Sequence, residues 1–368
     1  MEPPPALVDD VVGEVLLRLP PDDPALLVRA SAVCRAWRRR LTDAAFLRRY
    51  RRFHRRPPTL GLLVSTRFVP TGSFRRRGGP GRRHRRVLDC RHGRVLFSHG
   101  EAPFLLVWDP TTDEERRIPY AGFECSPSNA AVLCAAAGCD HLDCRGGPFL
   151  VVLIGTDNEG DAWLTRACVY SSESGEWGAP TTTAVLEYYA GLVPPVLAQD
   201  TLYFICDNAI KIFCYALRGE RGLSLIDAPE GDDESLNYVR SAVLMPMEDG
   251  GLRFAGLIPH SFNLHLWSLE TIGQDGVARW THLRAIKLDT LLPNDVRPLC
   301  LVGSEGVPDS DVVLVSTDDG VFMVGLESHS VRKVRKRGVD EVTYCPILPY
   351  MSFFTPDRAV GKMIIGSK

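Results

Sequence analysis

The sequence predicts an α+β multidomain chain, in which a short N-terminal three-helix unit precedes an all-β, propeller-like domain of about six blades. Apolar residues recur at helical spacing in the first 50 residues, and the spacing becomes strand-like beyond Pro57 and Pro58. One strand pattern then recurs at intervals of about 45 to 60 residues, near the period of propeller blades. We therefore expect helices over 1–50, a linker over 51–58 and a β domain over 59–368.

Start and stop signals divide the N-terminal segment into short helices. The apolar residues that define one face of the first helix are Val8, Val11, Val12, Val15, Leu16 and Leu19. Asp23 is placed to cap a second helix, with Pro24 at its first position, where a missing N–H is harmless. A third stretch passes through Trp37, and Asp43 is placed to cap a fourth. Helices this short bury little surface alone, so their apolar faces predict a protein partner.

Five strand segments in the second part of the chain share an aromatic or apolar run that is followed by a turn. They are 106–111, 168–173, 213–217, 266–270 and 322–327. Two flanking segments, 60–68 and 342–354, are predicted to combine as a shared closing blade, which brings the expected count to six.

The net charge of −2 conceals an uneven distribution. Residues 1–90 hold 20 arginines and 8 acidic residues, whereas the remainder holds 23 Lys plus Arg against 37 acidic residues. The arginine runs at 75–77 and 82–86 raise nucleic-acid binding as an alternative function. They are interrupted by Gly and Pro and have no interleaved aromatic residues, which favours a solvated loop or a nuclear-import signal over a nucleic-acid site.

Enzyme signatures are missing from the sequence: it has no nucleophile elbow, phosphate-cradling loop, metalloprotease helix or dinucleotide fingerprint. We therefore predict no catalytic residue and no cofactor. The eleven cysteines are scattered, which favours reduced, buried thiols. Cys134, Cys139, His141 and Cys144 are of the types that bind zinc, but they lack paired Cys-x-x-Cys spacing, so no metal site is predicted.

The compartment is also predicted from what the sequence lacks. It shows neither a secretory signal nor an apolar run of membrane-spanning length. We expect a cytoplasmic or nuclear protein with no membrane partner.

The N-terminal segment closely resembles the F-box motif. The matching features are Leu19-Pro20 after the first helix, the signature Val33-Cys34-Arg35 followed by Trp37, and Asp43 followed by Phe46 and Leu47. The family often opens with Leu-Pro, whereas this chain has Leu7-Val8. The remainder resembles, more loosely, the F-box-associated β domains of grasses and other plants, through residues 89–96, 107–111 and 170–177.

The resemblance implies a substrate receptor of an SCF-type cullin-RING ubiquitin ligase, docking to a Skp-family adaptor and through it to a cullin. It places the adaptor-binding or F-box-core positions at Leu7, Val8, Leu16, Leu19, Pro20, Leu27, Val33 and Trp37. An unidentified target protein is expected on one propeller face, on loops such as 71–86, 125–147 and 227–240. The alternative is a non-ligase propeller that binds nucleic acid or carbohydrate and carries a vestigial F-box.

Overall fold

A computed structural model describes most of the chain. The described residues are 9–64, 67–74, 85–99, 104–121, 128–144, 146–159, 162–184, 188–206, 209–219, 222–229, 241–247, 249–258, 262–272, 277–304, 310–336 and 346–354. The predictions for Leu7, Val8 and the arginine-rich residues 75–84 therefore lie outside the described residues.

The N-terminal helices form one unit, residues 9–54, which we call the helical unit. Its elements are α1 (Asp9–Leu17), α2 (Pro24–Val33), α3 (Arg35–Thr42) and α4 (Ala44–His54). The predicted caps are confirmed, since Asp23 accepts from the Ala25 N–H at 3.2 Å and Asp43 from the Phe46 N–H at 2.8 Å. The unit has four helices rather than three, and α4 runs into the segment 51–58 that the sequence predicted as a linker.

Six sheets follow, as predicted, and each is a blade of a propeller. The first three four-stranded blades are β3 (Arg85–Arg91), β4 (Arg94–His99), β5 (Phe104–Asp109) and β6 (Glu114–Pro119); β7 (Ser128–Cys134), β8 (Phe149–Glu159), β9 (Ala162–Ser171) and β10 (Thr181–Ala184); and β11 (Val196–Ala198), β12 (Thr201–Ile205), β13 (Lys211–Ala216) and β14 (Leu223–Asp227). The next two are β15 (Ser241–Pro246), β16 (Leu252–Leu257), β17 (Asn263–Ile272) and β18 (Ala278–Lys287); and β19 (Pro298–Ser304), β20 (Val312–Thr317), β21 (Gly320–Gly325) and β22 (Val331–Lys336).

The sixth blade joins the two ends of the propeller. It consists of β1 (Thr59–Val64), β2 (Arg67–Pro70) and β23 (Ile347–Met351), with β1 in the middle. β1 pairs with β23 in antiparallel register, Leu62 opposite Pro349, which confirms the predicted shared closing blade. The neighbouring blade packs closely here, because a Cβ added at Gly303 would lie only 2.3 Å from the Ile347 carbonyl oxygen.

The core lies between blades, because both faces of each sheet pack against a neighbouring sheet. Between the closing blade and the next one, for example, Trp108, Phe97 and Tyr350 share a buried cluster. The outer strand β6 is mostly exposed, which agrees with its run of charged residues. Among the described helices, none is both long and apolar enough to cross a membrane.

Candidate partner-binding surfaces

The helical unit has its own small core. Its buried residues are Val12, Leu16, Leu17, Leu27, Ala30, Leu41, Phe46, Leu47 and Tyr50. Leu16 and Leu27, which the sequence placed among the adaptor-binding candidates, therefore hold these helices together. Leu19 and Trp37 are half-buried against the same cluster.

Several apolar side chains of the helical unit face solvent instead. Val11 is 46% exposed, Val15 49% and Val33 64%, and Pro20 is exposed as well. Val11 and Val15 are four residues apart, so they lie on one face of α1. Of the sequence candidates, Pro20 and Val33 thus lie on the surface, whereas Val11 and Val15 were missed as surface residues. The signal was available, because α1 carries apolar residues on two sides and only one side can face the core.

The helical unit contacts the propeller through α4, and we call these contacts the seat of the helical unit. The Tyr50 ring meets Phe353, which follows β23, at 6.2 Å between ring centroids, and the Tyr50 hydroxyl donates to the Leu19 carbonyl at 2.7 Å. Arg51, which is buried, forms an ion pair with Asp143 at 2.7 Å. Leu142 packs against the helical core from the same β7–β8 loop. We call the end of the propeller that carries these contacts the helix-bearing face.

Two of the loops predicted to bind a target lie on this face. Leu142 and Asp143 belong to the predicted loop 125–147 and contact the helices. Ser73, from the predicted loop 71–86, hydrogen-bonds to Asp23 at the start of α2. The described parts of these loops therefore support the helical unit, while residues 75–84, 122–127 and 230–240 lie outside the described part of the chain.

A cavity of about 570 Å³ opens into the central channel beside the end of α4. Asp89 and Arg91 line it from β3. Asp89 accepts from the Val132 N–H at 2.9 Å, and Arg91 donates to the Pro195 carbonyl at 2.7 Å. Burial raises the pKa of Asp89, and the Arg91 charge opposes this shift. Asp89 thus links β3 to the neighbouring β7, and Arg91 links β3 to the segment before β11, which gives both side chains a structural role.

The opposite face carries an apolar and aromatic patch between the second and third four-stranded blades. Inner strands of a propeller run in one direction, so the segment before β11 and the β12–β13 turn lie at the end away from the helices. Leu192 and Ile210 are exposed there. Nearby, Trp163 meets Tyr189 edge to face, with 5.2 Å between ring centroids. We call Trp163, Tyr189, Leu192 and Ile210 the distal patch.

A third feature is a group of sulfur and nitrogen ligand atoms at the helix-bearing face. The ligand atoms of Cys134, Cys139, His141 and Cys144 all lie within 4.8 Å of one another. No metal site was expected from the sequence here, because these residues lack paired Cys-x-x-Cys spacing. Pairing of β7 with β8 brings the two ends of the loop together, since Cys134 ends β7 opposite Phe149, the first residue of β8.

Comparison with known families accounts for both parts of the chain. A family model described as F-box domain matches residues 5–49. A model described as F-box protein AT5G49610-like, beta-propeller, matches residues 86–357. No curated protein matches the sequence.

Solved structures with similar folds are distant. The PQQ-bound aldose sugar dehydrogenase from Streptomyces coelicolor is 12% identical, with 84% of this chain and 97% of that chain covered and a TM-score of 0.42. An oligogalacturonate lyase in complex with manganese is 11% identical, with 68% of this chain and 64% of that chain covered and a TM-score of 0.37. This chain therefore spans slightly less than two thirds of the lyase. The β-propeller domain of Cps50 (Swd1) from Myceliophteria thermophila is 10% identical, with 71% and 76% covered and a TM-score of 0.38.

Proposed function

Since the chain belongs to the family of F-box proteins with an AT5G49610-like β-propeller, we propose that it is the substrate-receptor subunit of an SCF-type cullin-RING ubiquitin ligase. The F-box binds a Skp-family adaptor, the adaptor links it to a cullin, and the propeller binds a target protein. Ubiquitin transfer takes place on partner subunits, so this chain contributes proximity and orientation rather than catalytic residues. Its expected location is the cytoplasm, the nucleus or both.

The observation that carries the proposal is the exposure of Val11, Val15 and Val33 on a helical unit whose core is already filled by other residues. Exposed apolar side chains on a small helical unit are typical of a surface that a partner covers. These valines belong to α1 and α2, whereas the contacts to Phe353 and Asp143 of the propeller are made from α4. We therefore expect the adaptor to bind while the propeller stays attached. Of the other predicted adaptor-binding residues, Pro20 is exposed, and Leu19 and Trp37 are half-buried.

The first test replaces both exposed valines of α1, as Val11→Asp with Val15→Asp. Placing two carboxylates in an apolar interface is expected to weaken binding of a purified Skp-family adaptor by at least about 100-fold, because the charges would be buried without partners. Isothermal titration calorimetry on the full chain measures the change. Both valines are exposed in the free chain, so circular dichroism and the melting temperature should stay near those of the wild type.

The matched control for this test is Leu192→Asp with Ile210→Asp, which changes two exposed apolar residues of the distal patch. Adaptor binding should be unchanged in the control. Equal affinity for the wild type and the α1 variant would contradict the proposed surface. A folded wild-type chain that binds no adaptor would favour the alternative, a propeller binding module with a vestigial F-box.

We propose the distal patch as part of the target-binding surface. The helical unit occupies the other face, so a target bound at the distal patch leaves the adaptor surface clear. Leu192 and Ile210 are exposed, and Trp163 and Tyr189 are half-buried. Trp and Tyr are enriched among the residues that contribute most to protein interfaces. This chemistry favours a protein target over nucleic acid, for which stacking residues interleaved with arginines would be expected.

The second test measures which proteins co-purify with each variant from proteasome-inhibited cells. In the Leu192→Asp, Ile210→Asp variant, the amount of co-purified target is expected to fall about 10-fold or more, while the amount of adaptor stays the same. This is the effect expected when residues that dominate an interface are replaced. The Val11→Asp, Val15→Asp variant should show the reverse pattern. An unchanged target set in the distal-patch variant would place the target surface elsewhere on the propeller.

A further inference from the structure

The β7–β8 connection, residues 135–148, is unusual among the hairpins of this propeller. Hairpin loops commonly have about two to five residues, and much longer ones tend to be functional or to need added support. Here the described loop residues contain no helix or strand. Even so, Leu142 and Asp143 reach the helical unit and help to seat it. Something other than regular secondary structure must hold them in place.

The distances within the Cys and His cluster match those of a tetrahedral metal centre. The Cys139 Sγ and Cys144 Sγ atoms are 3.6 Å apart, and Cys144 Sγ is 3.4 Å from His141 Nδ1. A tetrahedral zinc ion with its usual Zn–S and Zn–N bond lengths separates two sulfurs by about 3.8 Å and a sulfur from a nitrogen by about 3.6 Å. The fourth ligand atom, Cys134 Sγ, lies within 4.8 Å of the others.

The surrounding backbone holds these side chains in their convergent arrangement. Cys134 is fixed by the sheet at the end of β7. Gly138 and His141 have positive φ angles of 65° and 57°, which turn the chain back on itself at two points. The Arg94 guanidinium donates to the carbonyls of Cys144 and Gly147 at 2.6 and 2.7 Å. It also lies 5.2 Å from the centre of the Phe149 ring, so the base of the loop is anchored to the next blade.

The chemistry of the group favours a cation. Cys144 is buried, and Cys134 and Cys139 are half-buried. Their three sulfur atoms and the His141 ring nitrogen converge as four ligand atoms of the types that zinc prefers. Zinc deprotonates the thiols that bind it, and a Cys₃His set with no open position is typical of structural zinc sites.

We propose that Cys134, Cys139, His141 and Cys144 form a structural zinc site that fixes the β7–β8 loop and thereby the seat of the F-box. Zinc binds through the three sulfurs and His141 Nδ1. Leu142 and Asp143 lie between the ligands His141 and Cys144 in the chain, so metal binding fixes the two residues that contact α4. The site does not depend on the ligase function, because it would order the loop in any role of the propeller.

A disulfide between Cys139 and Cys144 is the competing explanation for the short sulfur distance. It would leave Cys134 and His141 beside the bond without a role, whereas zinc uses all four side chains. The two explanations differ in metal content and in mass, so both can be measured on the same sample.

The test uses the full chain, expressed with added zinc and purified under inert gas without chelators or added reductants. Elemental analysis is expected to give about one zinc per chain. Cys139→Ala and His141→Ala should each lower this content at least tenfold, because both ligands are at the loop surface and their loss leaves the blades intact. Cys214→Ala, which alters a buried thiol of β13, should keep the full zinc content.

Two further measurements make the result decisive even if a variant misfolds. Cobalt substituted into the wild-type chain should give the visible absorption of a tetrahedral thiolate site. Removing zinc from the wild type with a chelator should increase hydrogen exchange in α4, but not in the far blade β15–β18. Zinc below one tenth of an equivalent in the wild type, without a cobalt spectrum, would overturn the proposal. So would a metal-free chain whose intact mass is two hydrogens short and whose peptide map joins Cys139 to Cys144.

Discussion

Removing residues 346–368 is expected to abolish the native fold of both the propeller and the seat of the F-box. The truncation takes away β23, so β1 keeps its pairing with β2 but has an unpaired edge on its other side. The removed segment includes four buried side chains, those of Ile347, Leu348, Tyr350 and Phe353. Burying each such side chain contributes about 1.5–3 kcal/mol. Their combined loss is comparable with the total stability of a typical domain, about 5–15 kcal/mol.

The measurement is soluble expression, followed by near-ultraviolet circular dichroism and thermal unfolding. The matched control removes only residues 358–368, which lie beyond the part matched by the propeller family. The control should unfold cooperatively, as the wild type does. A soluble, cooperatively folded protein after the longer truncation would show that the ring does not need β23 for its stability.

Trp108→Ala is expected to lower the free energy of unfolding by about 3–5 kcal/mol, the range for truncating a large buried aromatic residue. Trp108 is 1% exposed and lies between the closing blade and the next one, with Phe97 and Tyr350. Its indole N–H also donates to Asp113 Oδ1 at 2.9 Å. The substitution removes this hydrogen bond and leaves a cavity that the neighbouring sheets cannot close without moving.

Chemical denaturation with fluorescence and circular dichroism measures this loss. The control is Trp280→Ala on the outer strand β18, where the side chain is half-buried and donates to the Asp227 carbonyl at 2.9 Å. Its substitution should cost less than half as much, because less apolar surface is uncovered. Equal losses at the two positions would mean that the interface beside the closing blade is not tightly packed.

The features that local rules control were predictable from the sequence. Asp23 and Asp43 were assigned as caps because an Asp directly before a helix can accept a hydrogen bond from a free N–H of the first turn. The six blades and the shared closing blade were predicted from the repeated strand pattern, since each blade is a similar sheet that packs between two others. The first prediction depends only on residues that are adjacent in the sequence, and the second only on the interval at which the strand pattern recurs.

The division of the F-box residues between core and surface could not be predicted in the same way. Val15 and Leu16 are adjacent and similarly apolar, yet Val15 is half exposed and Leu16 is fully buried. Which of the two faces inward depends on how α1 packs against the other helices, and that information is not local. The residues of the Cys and His cluster were recognised from the sequence, but no metal site was predicted, because their irregular spacing becomes compact only when β7 pairs with β8.

The closing blade has a consequence for the order in which the chain acquires function during synthesis. The F-box helices are made first, but Phe353, against which Tyr50 packs, follows the last strand of the ring. Domains generally fold as units while the ribosome extends the chain from its N-terminus. The ring and the contacts that hold the helices are therefore completed together, only after β23 and Phe353 have been made. An incomplete product already has its F-box helices, but it lacks the strand and the Phe353 contact that fix their orientation on the ring.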